Sequence, residues 1–168
     1  MAKENAAAAV GEATGYDPAH PDHVLHHGCC YYPEHWPEER WALDARLMAD
    51  AGFNTVRIGE FDWAVYEPRE GRFEWDRLAQ AVDVLHAAGL RVVLGTPTAC
   101  PPAWLTAKYP GCLRASAGDG TPQLPQTRRH ADCNDGDYRR LALRVVDAMA
   151  ARFADHPGVL GYQVRLAR

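Results

Sequence analysis

The sequence predicts an α/β fold, a partial TIM (β/α)₈ barrel of about the first four βα units with parallel strands. Three observations carry that prediction. Short apolar runs alternate with helical stripes, a glycine twice closes a helix just ahead of a strand, and bulky polar or aromatic residues follow the strands directly. Strands alternating with helices imply a parallel sheet covered by helices through right-handed crossovers. An open nucleotide-binding sheet usually carries a Gly-rich turn after its first strand. Here that turn is Pro33-Glu34-His35-Trp36, with no G-x-G-x-x-G spacing. Polar and aromatic residues at strand ends suit the mouth of a barrel, where functional groups stand on the loops after the strands.

Residues 1–27 are rich in Ala, Gly, Asp, Pro and His without sustained periodicity and read as a mobile N-terminal extension. Residues 28–168 read as the amino-terminal half of the barrel, incomplete. Gly28-Cys29-Cys30-Tyr31-Tyr32 suits a short buried strand closed by Pro33. Pro37 is placed at the first position of a helix, with Glu38 and Glu39 at the positive end of its dipole. Trp41, Ala45 and Met48 mark the inner face, which Leu47 and Ala51 are expected to widen. Gly52 ends the helix as a left-handed cap, with Phe53 making the accompanying apolar contact. A second strand is expected over 55–61.

The same pattern then repeats. Trp75, Leu78, Val82 and Leu85 form a stripe, Gly89 caps it, and Arg91-Val92-Val93-Leu94-Gly95 is a strand. Residues 98–109 read as a loop leading to a short helix, and 111–134 as a long irregular excursion. Loops of that length are usually functional or disordered. A third long helix is expected over 137–153, with Leu141, Val145, Ala148, Met149 and Phe153 inward. Asp155-His156-Pro157-Gly158 stops it, and 159–164 is the fourth strand.

Composition narrows the classes of function. An apolar fraction of 47% and a charged fraction of 24% are those of a globular chain. No apolar run is long enough to span a membrane, and the first twenty residues lack the pattern of a secretory signal, so the expected address is the cytoplasm. Five cysteines, an odd number with Cys29 and Cys30 adjacent, suit reduced thiols. A net charge of −4 without a basic run argues against nucleic-acid or membrane partners, leaving a small molecule or another protein.

The strand ends carry the chemistry. Trp36, Trp63 and Trp104 offer flat faces for a sugar ring, while Arg57, Glu34, Glu60, His35 and Arg128 offer convergent hydrogen bonds. Each has a structural alternative: the tryptophans can pack under loops, and Arg57 with Glu60 or Glu34 can brace the barrel mouth. From residue chemistry alone, Glu34 and Glu60 are the carboxylates to nominate for a retaining hydrolase, which needs two about 5–5.5 Å apart.

Tyr31-Tyr32-Pro33-Glu34-His35-Trp36, Val56-Arg57-Ile58-Gly59-Glu60-Phe61, Leu94-Gly95-Thr96-Pro97-Thr98-Ala99, Pro101-Pro102-Ala103-Trp104-Leu105 and Arg128-Arg129-His130 occur in order and at matching spacing. Together they closely resemble the amino-terminal half-barrel of glycoside hydrolase family 42 β-galactosidases, over residues 28–164. The resemblance implies a retaining hydrolase of terminal β-D-galactosides in carbohydrate metabolism, with no cofactor and with complete members assembling as homo-oligomers, commonly trimers. It assigns substrate binding to Arg128, the first arginine of Arg-Arg-His, while Arg57, Glu34, Glu60 and Trp36 are weaker candidates that rest on residue chemistry.

In the family the acid/base glutamate follows an asparagine just after the fourth strand, and the nucleophile ends the seventh. This sequence instead reads Arg165-Leu166 after Val164. The expectation is therefore a truncated, inactive fragment with no catalytic residue of its own. The alternative is a non-catalytic half-barrel that binds sugar or a complementing protein half. A metal-dependent sugar isomerase is disfavoured, because no Asp/Glu/His ligand set recurs at the strand ends. Some family members hold zinc with four cysteines, the first shortly after Arg-Arg-His. Asp132 stands at that position here and Cys133 one residue late. A lone cysteine is not a four-ligand site, and the clustered His20, His23, His26 and His27 read as incidental, so no bound metal is expected.

Overall fold

The computed structural model describes residues 24–115, 118–122 and 131–164. Among them, β1 (Gly28–Cys30), β2 (Thr55–Ile58), β3 (Arg91–Gly95) and β4 (Val159–Gln163) form one sheet in the order β1-β2-β3-β4. Every neighbouring pair is parallel. A sheet whose spatial order follows chain order, with no reversal, is the arrangement of a barrel; a doubly wound sheet reverses at a switch point. The expected fold class of parallel βα units is thus observed.

The helices are α1 (Glu38–Asp50), α2 (Trp63–Tyr66), α3 (Asp76–Ala87), α4 (Ala103–Lys108) and α5 (Gly136–Phe153). One face of the sheet packs on them: Val56, Ile58, Val92 and Leu94 are fully buried beside Trp41, Leu78, Val82, Leu85, Met149 and Phe153. On the other face Cys30, Arg57, Val93 and Gly161 align across the four strands. Cys30 is exposed, and Arg57 and Val93 are half-buried. A closed barrel turns this second face inward.

Pro37 sits one position outside the place expected of it. Its φ of −65° and ψ of 147° make it the N-cap, and the helix begins at Glu38. Trp41, Ala45 and Met48 are buried as expected, but Leu47 is 54% exposed and Ala51 is exposed as well. At about 100° per residue, six steps carry Leu47 roughly 240° around the helix from Trp41, off the inner stripe. Trp41 also closes the turn ahead of its helix, its Nε1 donating to Pro33 O at 2.9 Å.

Both glycine caps are Schellman motifs. Gly52 N donates to Ala49 O and Phe53 N to Met48 O, at 2.9 and 3.1 Å. Gly89 N to His86 O and Leu90 N to Leu85 O repeat the motif at the end of α3. Their φ angles are +83° and +85°. An added Cβ at Gly52 would meet nothing within 4 Å. Gly52→Ala is therefore expected to cost about 1–2 kcal/mol from backbone conformation alone, a loss that urea denaturation would measure. A change under a few tenths of a kcal/mol would refute this account of the cap.

Other boundaries shift for local reasons. β1 ends at Cys30, although Tyr31 N still donates to Arg57 O at 2.9 Å, and Tyr32 caps the 3₁₀ turn Pro33–His35. β2 ends at Ile58, where Gly59 turns the chain with φ +86°. α5 starts at Gly136 rather than 137, because the Asp135 side chain accepts the Tyr138 N–H at 2.8 Å. Ahead of β1, His27 N donates to Asn54 Oδ1 at 2.9 Å and Asn54 Nδ2 to Leu25 O at 2.8 Å. The last three residues of the expected extension are thus held, while residues 1–23 lie outside the described ones. Within the excursion, Leu113 bridges Ala131 and Ala115 bridges Pro122.

Candidate functional site

The end of β2 delivers two of the expected site residues to one corner. Arg57 lies on the uncovered face of the sheet, and the turn at Gly59 brings Glu60 back beside it. Arg57 Nη2 and Glu60 Oε2 are 2.5 Å apart, with Glu60 2% exposed. Arg57 Nη1 donates to Gln163 Oε1, also at 2.5 Å, although 106 residues separate them. Gln163 is in register with Gly95 on the neighbouring strand. Its backbone O accepts from Thr96 N at 3.0 Å, so the side chain starts from a fixed backbone. Charge-assisted bonds to two acceptors hold the guanidinium in one orientation, with its remaining N–H groups on the face that a barrel encloses.

Gly95 makes this corner possible. A Cβ there would stand 3.0 Å from Glu60 Cβ and 3.1 Å from Glu60 Cα. A glycine at the end of a strand thus admits the close approach of a second backbone.

Glu34 is not at this corner. It lines a small cavity with Asp62, walled by Trp41, Tyr66, Arg77 and Leu78. Burial, with the neighbouring Asp62 charge, pushes its carboxyl up to about 7. Glu34 and Glu60 therefore occupy separate clusters, and their pairing as two facing carboxylates is not what the loops build. Between these clusters, Tyr32 stacks on His35 and on Phe61, with centroids 5.5 and 6.0 Å apart.

The three tryptophans divide. Trp63 is fully buried, and its Nε1 donates to Glu67 Oε2 at 2.8 Å. Trp104 Nε1 donates to Glu67 O at 2.7 Å. Both pack a loop rather than face the barrel mouth. Trp36 is 42% exposed, with the Arg40 guanidinium 4.4 Å over its ring. It is the one of the three with an accessible aromatic face. Arg128 lies outside the described residues.

Sequence reasoning missed Asp62, Gln163 and Glu67. Gln163 ends β4 much as Arg57 stands near the end of β2, so its position was a usable signal. Nothing in the local pattern marks Glu67 or Asp62. Among the described residues, no group of three or more His, Cys, Asp or Glu side chains is placed to hold a metal ion. Cys133 therefore has no ligand set to join among them. Burial raises the Cys29, Cys112 and Cys133 thiols, which favours their neutral form. No helix among the described residues is long and apolar enough to cross a membrane.

The family model described as β-galactosidase, glycoside hydrolase family 42, matches residues 30–165. The chain is 49% identical over 136 residues to a β-galactosidase of Thermus thermophilus, covering 81% of this chain and 21% of that protein. Among solved structures, the β-galactosidase from the psychrophilic Marinomonas ef1 superposes with a TM-score of 0.78 at 43% identity, over 82% of this chain and 21% of that one. The cold-adapted β-galactosidase from Rahnella sp. R3 gives 0.79 at 34% identity, over 83% and 21%. The chain spans about one fifth of the length of the curated relatives it matches.

Proposed function

We propose, from the premise that this chain belongs to the glycoside hydrolase family 42 β-galactosidases, that residues 28–164 supply the substrate-positioning portion of a retaining β-galactosidase. The observation that carries the reading is the Arg57 guanidinium fixed between Glu60 and Gln163. A fork of donors held by two strands meets sugar hydroxyl oxygens without first paying to order itself. Glu60 and the exposed face of Trp36 add an acceptor and a stacking surface. Arg128, on the long excursion, is proposed to bind the same galactose.

Hydrolysis with retention needs an acid/base and a nucleophile about 5–5.5 Å apart. Glu60 is committed to Arg57, and Glu34 faces Asp62 instead. The 168-residue chain alone is therefore expected to bind but not to cleave a galactoside. The decisive experiment replaces the matching stretch of the Thermus thermophilus enzyme with residues 30–165. The hybrid is expected to hydrolyse a nitrophenyl β-D-galactoside, and Arg57→Ala within it to lower kcat/KM about ten- to a hundredfold. A folded hybrid without activity, or an Arg57→Ala hybrid with unchanged constants, would remove this reading. Arg128→Ala is expected to weaken galactose binding in the same hybrid.

A second reading, a non-catalytic half-barrel that seats a complementing protein half, is favoured by one feature. A groove of about 460 Å³ lies between the ends of β3 and α5, lined by Thr96, Tyr138, Ala142, Leu143, Val146 and Val164. It opens beside the edge strand β4, where Leu160 and Tyr162 are more than a third exposed. A sharp monomer by light scattering with a cooperative thermal transition would count against it.

A further inference from the structure

The loops after β1 and β2 meet at a second place, away from the Arg57 corner. Glu34, in the turn after β1, and Asp62, the N-cap of α2, bring their carboxyl groups together in one small cavity. They share a cavity of about 20 Å³, room for about one water. An ionised carboxylate only accepts hydrogen bonds, so two carboxylates in contact need a proton between them. Glu34 Oε2 is buried, and no N–H or O–H donor among the described residues reaches it.

The surrounding charges decide which partner carries that proton. Asp62 faces His35, Arg77 of α3 and the Tyr66 hydroxyl, all of which favour its ionised form. Asp44 of α1 accepts from Tyr31 at 3.0 Å and pairs with Arg40 at 3.0 Å. Asp44 is thus already matched and leaves Asp62 as the acceptor.

We propose that Glu34 and Asp62 share a single proton, and that this hydrogen bond latches the loop after β1 to the loop after β2, positioning Trp36 and Glu60 at the barrel mouth. The latch goes beyond the galactoside reading and stands without it. Burial is the main reason that Glu34 lies at about 7 instead of the ordinary 4.5, and burial also raises Asp62. A group raised in the folded state adds stability that is full below about 4.5 and is lost as pH rises through about 7. The latch is therefore closed in mild acid and opens toward about pH 8.

The test uses the 168-residue chain without any sugar. Infrared difference spectra between about pH 6 and 8 should show the C=O stretch of one carboxylic acid disappearing. That band belongs to no imidazole, so His35 does not enter it. Glu34→Gln, whose amide N–H donates to Asp62 without titrating, should abolish the band and flatten the fall of the thermal midpoint across the same range. Asp62→Asn, by removing the neighbouring charge, should move the loss of the band to lower pH. A wild-type spectrum without the band, or a band and slope that persist in Glu34→Gln, would overturn the proposal. Since no galactoside is present, failure here leaves the proposed function standing, and failure of the hybrid enzyme leaves the latch standing.

Discussion

Arg144→Ala is expected to destabilise the fold by about 3 kcal/mol or more, the largest loss among the changes considered. Glu67 is fully buried at the end of α2 and collects three donors. They are Trp63 Nε1 at 2.8 Å, Gly71 N at 2.6 Å and the Arg144 guanidinium from α5. Its backbone O takes Trp104 Nε1 from α4. Arg144 also reaches Glu70 at 3.6 Å, which pairs with Lys108. One residue, Glu67, thus joins the loop after β2 and the long helix before β4 through its carboxylate and the short helix after β3 through its backbone O.

Removing Arg144 leaves a buried charge with only dipolar partners, whereas removing both charges does not. Arg144→Met combined with Glu67→Gln should therefore cost less than Arg144→Met alone. Urea denaturation of the two singles and the double would measure that coupling. An Arg144→Ala chain within 1 kcal/mol of wild type would show that the pair is solvated and contributes little.

What the sequence made legible is what local rules control. Both glycine caps, the stripes Trp41-Ala45-Met48 and Leu78-Val82-Leu85, and the order of strands follow from periodicity and turn chemistry, and all stand in the structure. Strand ends also told where polar chemistry collects, and Arg57 and Glu60 stand together at one corner as the ion pair that was one of their two expected readings. Partners across the fold were not legible, because nothing within a few residues of Arg57 points to Gln163, 106 positions on. Glu34 misled for a related reason. The 3₁₀ turn Pro33–His35 swings its side chain toward the helix layer, and a strand-based alternation of faces does not survive such a turn. Trp63 and Trp104 could be read either as sugar platforms or as packing under loops, and the buried Glu67 to which both donate supports the second.

Gly95→Val should separate propensity from sterics at the proposed site. Valine is a better strand residue than glycine, so an ordinary strand position would tolerate or gain from the change. Here a Cβ would stand 3.0 Å from Glu60 Cβ, 3.1 Å from Glu60 Cα and 3.3 Å from Glu60 N. Two of those atoms are backbone, so the Gly59–Glu60 turn must move. Overpacking of this kind costs about 1–3 kcal/mol. The displacement also pulls Glu60 from Arg57, and the freed guanidinium loses one of the two acceptors that orient it. In the hybrid enzyme the expected loss in kcat/KM is tenfold or more, on the order of 1.4 kcal/mol. Gly161, on β4, is the control for the stability of the chain by itself: an added Cβ meets nothing within 4 Å, so Gly161→Ala should leave that stability almost unchanged. If Gly95→Val instead behaved like Gly161→Ala, Glu60 would not be held by the approach of β3, and the fixed orientation of Arg57 would need another cause.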